Sequence, residues 1–264
     1  MFKEILKRNN LIKKNYLDKE IPVLGGLYIV IFSIILWIFF FNQGSFINNH
    51  NNSALLEYNL DNSLVFNSMI YLFIIITAVG FLDDLAGSKN QQGFKGHFKS
   101  LFSGEITTGF IKAFVSFLLV FLVLFSYGFQ SYFRLFLNLG IIILMTNFIN
   151  LLDLRPARSI KFFLLFSFIL ILFLPLLSYF FPVYLVLFFY LPFELKARVM
   201  LGDTGANFLG IVLGFPLIFI NNLLLKEIIL FFLILLTILS EKYSFSRIIK
   251  NNKYLNYLDE LGRS

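Results

Sequence analysis

Apolar residues gather in eight runs along the chain, near 21–41, 64–82, 106–128, 132–152, 160–181, 182–195, 204–221 and 223–240. Most approach the roughly 20 residues a helix needs to cross a bilayer. They are longer and more continuous than alternating barrel strands. The pattern predicts an all-α fold, a polytopic membrane bundle of about eight transmembrane helices. The sixth run is short and bracketed by Pro182 and Pro192, so its geometry is the least defined. An even number of crossings puts both termini on one side. No internal repeat or low-complexity linker interrupts the chain, so a single domain over 1–264 is expected. It comprises a basic N-terminus (1–20), the bundle (21–240) and a tail (241–264). The tail stretch Tyr243–Leu261 mixes Tyr, Leu, Ile and Lys. It reads as an interfacial amphipathic helix, with a solvated partner-binding tail as the alternative.

Composition agrees with that pattern. Hydrophobic residues make up 58% of the chain, 37 residues are Phe, and the mean hydropathy is +0.82, which excludes a soluble domain. Cysteine is absent, removing disulfides and thiolate ligands. His50 and His97 lie far apart, so metal chemistry falls to oxygen ligands, which suit magnesium or manganese better than zinc.

The net charge of +7 would suit a nucleic-acid partner, but its distribution argues for topology and against nucleic acid. Lys3, Lys7, Arg8, Lys13, Lys14 and Lys19 precede the first run, and residues 1–20 lack the long apolar core and small-residue cleavage site of a secretory signal. Of the 22 Lys and Arg, only Arg134 and Lys226 fall on the opposite side of the eight-helix arrangement. The segment from Asn42 to Ser63 carries no Lys or Arg at all. By the positive-inside rule both termini are expected in the cytoplasm.

Given that topology, the conspicuous polar residues open on the cytoplasmic face. Asp83 and Asp84 end the second run, where adjacent acids are costly unless water, a metal or cations meet them. Asn147, Asn150 and Asp153 end the fourth at spacings of three, so neighbours share a helix flank. Gly202-Asp203-Thr204-Gly205 opens the seventh. Lys95, Lys99, Lys112, Arg155, Arg158 and Arg198 surround these acids in the loops and helix starts. Carboxylates able to hold a divalent cation, ringed by Lys and Arg, suit phosphoryl transfer. A free carboxylate could also act as base. Plainer readings stand beside each feature. The paired acids could mark a helix leaving lipid, and Asp203-Thr204 could be a helix cap. Asn147 and Asn150 could bond a neighbouring helix, and His97 could be solvated. For Gly210 and Gly214 close helix packing is the preferred reading.

Four segments carry a family likeness. Asp18-Lys19-Glu20-Ile21-Pro22-Val23-Leu24-Gly25-Gly26 resembles the P-x-x-G-G element of the polyprenyl-phosphate N-acetylhexosamine-1-phosphate transferases. These include the phospho-MurNAc-pentapeptide transferase and the enzymes that initiate teichoic acid and O-antigen synthesis. Gly80-Phe81-Leu82-Asp83-Asp84 resembles their G-x-x-D-D element. Asn147-Phe148-Ile149-Asn150-Leu151-Leu152-Asp153 is similar to the first half of N-x-x-N-L-x-D-G-x-D-G. Ala197 to Ala206 resembles A-x-x-F-M-G-D-T-G-S.

The resemblance implies a magnesium-dependent phosphoglycosyltransferase of the bacterial cytoplasmic membrane, serving cell-envelope glycan synthesis. A polyprenyl phosphate would attack the β-phosphate of a UDP-sugar, taking sugar-1-phosphate and releasing UMP. Asp83 and Asp84 match the catalytic acid pair and Asp203 the magnesium-binding acid, with all three expected at the metal. Asn150 and Asp153 match positions lining the nucleotide pocket. Asn147, Lys19, Lys95, Lys112, Arg155, Arg158 and Arg198 complete the expected substrate-binding set.

Three departures qualify the likeness. Pro156 stands where the family has its second Asp, and the late histidine-rich loop is replaced by Glu241-Lys242-Tyr243-Ser244-Phe245. The family's leading helix has no counterpart ahead of Pro22, which reads as a truncated frame or a compact variant. UDP-MurNAc-pentapeptide is therefore expected to be a poor donor. Arg155 and Arg158 would instead hold the donor diphosphate or an acidic sugar, or only anchor the loop to lipid headgroups. The alternative function is a non-catalytic scaffold or carrier that retains the lipid-phosphate groove. An ion transporter is disfavoured, because no acid lies mid-membrane. Monomer and homodimer are both left open.

Overall fold

The computed structural model describes residues 2–41, 62–86, 108–126 and 131–263. Lys95, Lys99, His50 and His97 lie outside the described residues. The chain is mostly helical, and every one of the eight apolar runs contains a helix. Helix α1 (Phe2–Arg8) leads into a hairpin, β1 (Ile12–Lys14) and β2 (Glu20–Pro22). Helices α2 (Gly25–Phe41), α3 (Asn62–Ala86), α4 (Thr108–Ser126), α5 (Tyr132–Leu152) and α6 (Arg158–Leu170) follow. A 3-10 turn (Pro175–Phe180) runs into α7 (Phe181–Leu195), then come α8 (Gly202–Leu217) and α9 (Leu223–Lys242). Two short helices, α10 (Phe245–Asn251) and α11 (Lys253–Glu260), close the chain.

Tyr132–Leu152, Leu176–Leu195 and Leu223–Lys242 are long and apolar enough to cross a membrane. The second of these corrects the expected boundary between the fifth and sixth runs. The break falls before Pro175, not at Pro182. Pro182 sits in the first turn of α7, where a missing N–H leaves no bond unmade. The 3-10 turn then extends the short sixth run to 20 residues.

Helix α8 is the centre of the molecule, buried on nearly every side and packed against α2, α3 and α5. A helix that is apolar all round belongs in such a position. Its close approach to α5 needs small residues. A Cβ on Gly210 would lie 2.4 Å from the Thr146 Cα, and one on Gly214 would lie 3.2 Å from the Ile142 Cα. The packing role expected for this pair is the one the structure gives it. Away from the hairpin end, the core is closed by Trp37, which stacks on Phe73 at 5.2 Å and donates to the Tyr179 carbonyl at 2.7 Å. The outer faces are strongly apolar. On α9 only 11% of the apolar window is buried, and Phe231 and Phe232 are exposed.

The hairpin departs from the all-helical expectation. Its strands pair antiparallel with Lys13 opposite Ile21. Asn15 makes the turn, its side-chain oxygen accepting from Leu17 N at 2.9 Å and Lys19 N at 3.0 Å. Strands of three residues seldom hold as an isolated pair. Here Leu11 N donates to the Leu6 carbonyl and Met200 N to the Pro22 carbonyl, so the hairpin is fastened to α1 and to the loop before α8.

Candidate functional site

The segments around Pro22–Gly26, Gly80–Asp84 and Gly202–Gly205, distant in sequence, meet at the start of α8. Backbone bonds join the first to the third: Gly25 N donates to the Met200 carbonyl at 3.0 Å, and Gly26 N to that of Leu201 at 2.9 Å. Glycines make the fit possible. A Cβ on Gly26 would lie 2.1 Å from Gly205 N, and one on Gly80 would lie 2.7 Å from the Asp203 carbonyl oxygen. Gly202 has φ +72°, and a Cβ there would lie 2.7 Å from Asp84 Oδ2. Only glycine meets both demands without strain.

Asp84 is fully buried, and its carboxylate receives four donors. Lys13 Nζ reaches Oδ1 at 3.0 Å and Asp203 N reaches it at 3.3 Å. Thr204 N donates to Oδ2 at 3.0 Å and Thr204 Oγ1 at 2.6 Å. The acid thus caps α8 from a different helix, where amides and the helix dipole favour negative charge. An ionised carboxylate offers about four acceptor positions, and all are taken. A metal would reach Asp84 only by displacing a donor, and Lys13, a third exposed, is the most readily moved.

Asp83 and Asp203 are half-buried, each next in sequence to a member of this clamp. Asp153, the C-cap of α5, accepts from Ser159 Oγ at 2.7 Å. Burial raises its carboxyl well above the usual range. The negative charge of Glu194 adds to this, as do those of Asp203 and Asp84, while the Ser159 bond works the other way. The acids of three motifs therefore share one electrostatic neighbourhood. Among the described residues, however, no three acids or histidines converge closely enough to form a metal cage. Magnesium does not require one, since it is commonly held by one or two carboxylates plus substrate phosphates.

A cavity of about 40 Å³ adjoins Asp153, lined by Asn15, Tyr16, Arg155, Glu194 and Met200 among others. That is room for roughly three waters. Glu194 is buried and takes Ala157 N on Oε1 at 3.0 Å, while its Oε2 has no hydrogen-bond partner. Asn15 Nδ2 and Asn147 Nδ2 are likewise buried and unpartnered.

The basic residues divide. Arg155 lies over the Tyr16 ring, 4.9 Å from its centroid, at the cavity wall. Arg158, expected at the donor, is buried and turned to the tail. Its Nε and Nη2 bond Asp259 at 2.8 Å each, and Nη1 bonds Ser246 Oγ at 2.9 Å. Lys19 and Arg198 are exposed, and Lys112 is defined only as a position on α4. Asn150 lies in the last turn of α5, its carbonyl accepting from Asp153 N.

Sequence reasoning counted Lys13 only as a topology charge and passed over Glu194. An acid inside the apolar run 182–195 was the available signal for Glu194, because such a group needs a partner or a purpose. Nothing local marks Lys13, whose partner is 71 residues away. No family model, curated protein or solved structure matches the chain.

Proposed function

We propose that the chain is a membrane phosphoglycosyltransferase. A polyprenyl-phosphate oxygen attacks the β-phosphorus of a UDP-sugar, the bond from that phosphorus to the bridging oxygen breaks, and UMP leaves. One observation carries this reading: three segments of the resemblance are joined at the start of α8, with Asp83, Asp203 and Asp153 grouped around the Asp84 clamp. Asp83 and Asp203 would hold a magnesium or manganese ion. Such an ion, when bound, neutralises charge on the diphosphate. Asp84 acts as a positioning residue, fixing the start of α8 and with it Asp203. Arg155 is the cation nearest the Asp153 cavity and the favoured contact for the donor.

Eight membrane crossings, cytoplasmic termini and a bacterial cytoplasmic membrane complete the proposal. Three sufficiently long apolar helices among the described residues and the one-sided distribution of Lys and Arg support it. The test is to reconstitute the protein with polyprenyl phosphate, magnesium and a panel of nucleotide sugars and to measure UMP. Release with any donor supports the reading, and none across the panel defeats it.

The filled acceptor positions of Asp84 and the small cavity favour a second reading, a non-catalytic scaffold that binds lipid phosphate. It predicts saturable binding of polyprenyl phosphate with no UMP released.

A further inference from the structure

The tail holds the densest ionic network in the described part of the molecule, remote from the Asp84 clamp. Asp259 receives Arg158 through two bonds of 2.8 Å and Arg263 through bonds of 3.0 and 2.6 Å. Arg263 also donates to the Pro156 carbonyl at 2.9 Å, and Lys161 Nζ to the Leu258 and Asp259 carbonyls at 3.1 and 2.6 Å. The end of α11 is thereby pinned to the start of α6. The other end of the tail is fixed too, because α10 begins within three residues of the end of α9. The strap therefore runs between the points where two apolar helices end.

Its outer face has the chemistry of that level. At 100° per residue, Tyr257, Tyr254, Leu258 and Leu255 cover an arc of about 160° on α11, and Leu261 follows at its C-cap. All five are exposed, Tyr254 at 82%. Asp259 lies beyond one edge of the arc, on the protein, while Lys253, Asn256 and Glu260 occupy the remaining side. Arg247, Lys250 and Lys253 are exposed cations. Tyr with Leu on one face and Lys with Arg beside it match a lipid–water interface.

We propose that the strap from Phe245 to Leu261 docks on an anionic lipid surface, with Tyr254, Leu258 and Leu261 among the acyl chains and Arg247, Lys250 and Lys253 at the phosphates. Continuity with α6 and α9 selects lipid over a soluble partner, since both strap ends are held where those helices leave their apolar stretch. The proposal rests on the membrane placement given above but not on catalysis.

The chain has no cysteine, so single nitroxide labels can be introduced directly. Leu258→Cys, Glu260→Cys and Phe232→Cys are each reconstituted in vesicles of equal parts phosphatidylglycerol and phosphatidylcholine. Labels at Leu258 and Phe232 should be more accessible to oxygen than to a nickel chelate, and the label at Glu260 the reverse. Replacing Arg247, Lys250 and Lys253 by Gln should weaken the Leu258 docking equilibrium about fivefold per charge removed. If Leu258 behaves like Glu260 while Phe232 remains in lipid, the strap is in water and the proposal fails alone. Leu258 shielded from both reagents means that protein covers the face, which also overturns it. Nickel access at Phe232 removes the membrane placement and the proposal together.

Discussion

Replacing Asp84 by Asn tests whether the buried carboxylate holds the start of α8. The amide keeps the shape but offers one acceptor oxygen and turns an NH2 group towards donors. The least costly orientation faces the NH2 towards Lys13, which can swing into solvent. It loses the Lys13 bond and the 3.3 Å bond from Asp203 N, and weakens both Thr204 bonds by removing the charge. Bonds to charged groups contribute about 1.5–3 kcal/mol each, and a charge at a partly buried helix N-terminus adds up to about 2 kcal/mol. Relief from burying an ion offsets part of this, leaving a net loss of about 3 kcal/mol. Thermal unfolding in detergent can be followed through Trp37, the chain's single tryptophan, stacked between α2 and α3. For a chain of this size the loss corresponds to a fall of roughly 6–12 °C in Tm. Thr204→Val, which removes only the 2.6 Å bond, should cost about half as much. A melting point for Asp84→Asn within a degree of wild type would refute the clamp.

Other outcomes follow from the same geometry. Gly26→Ala puts a methyl 2.1 Å from Gly205 N, with backbone on both sides; the same melting assay should show a loss of about 3 kcal/mol. The two arginines hold the Asp259 carboxyl at about 2 even though burial alone would raise it. A depressed carboxyl stabilises above its unfolded value near 3.8 and loses that contribution as pH falls through about 2. Some 2 kcal/mol of tail docking should therefore fade between pH 4 and 2, read as growing mobility of a nitroxide on Glu260→Cys, whereas Asp259→Asn should be mobile throughout. In intact cells an impermeant thiol reagent should label Asn221→Cys, and should label Lys196→Cys only once the membrane is opened; the reverse pattern would invert the topology.

The helices were readable because long apolar runs can satisfy their backbone only internally, and α5 spans the same residues, 132–152, as its run. The boundary near Pro175 was not, because a proline signals a helix start and a helix end equally well until its neighbours are known. The hairpin was hidden for a different reason. Its three-residue strands carry two lysines and depend on partners near residues 6 and 200. At the site, the sequence showed that Asp83-Asp84 and Asp203 belong together but gave no means of telling the adjacent acids apart. Burial does so, placing Asp84 under α8 and leaving Asp83 half-buried. Arg158 looked like a donor ligand because its counter-ion lies 101 residues away.

The central claim is tested most directly at Asp203. UMP release from the best nucleotide-sugar donor, with polyprenyl phosphate present, is measured for wild type and Asp203→Asn across a magnesium titration. Asp203 touches the clamp through its backbone N–H, which the substitution preserves. The variant's melting point is measured alongside, so that a lost rate is read against its fold. The account predicts magnesium-dependent release by wild type and a rate at least about a hundredfold lower for the variant, roughly 2.7 kcal/mol of barrier. Asp203→Asn releasing UMP within about threefold of wild type at every magnesium concentration would contradict it.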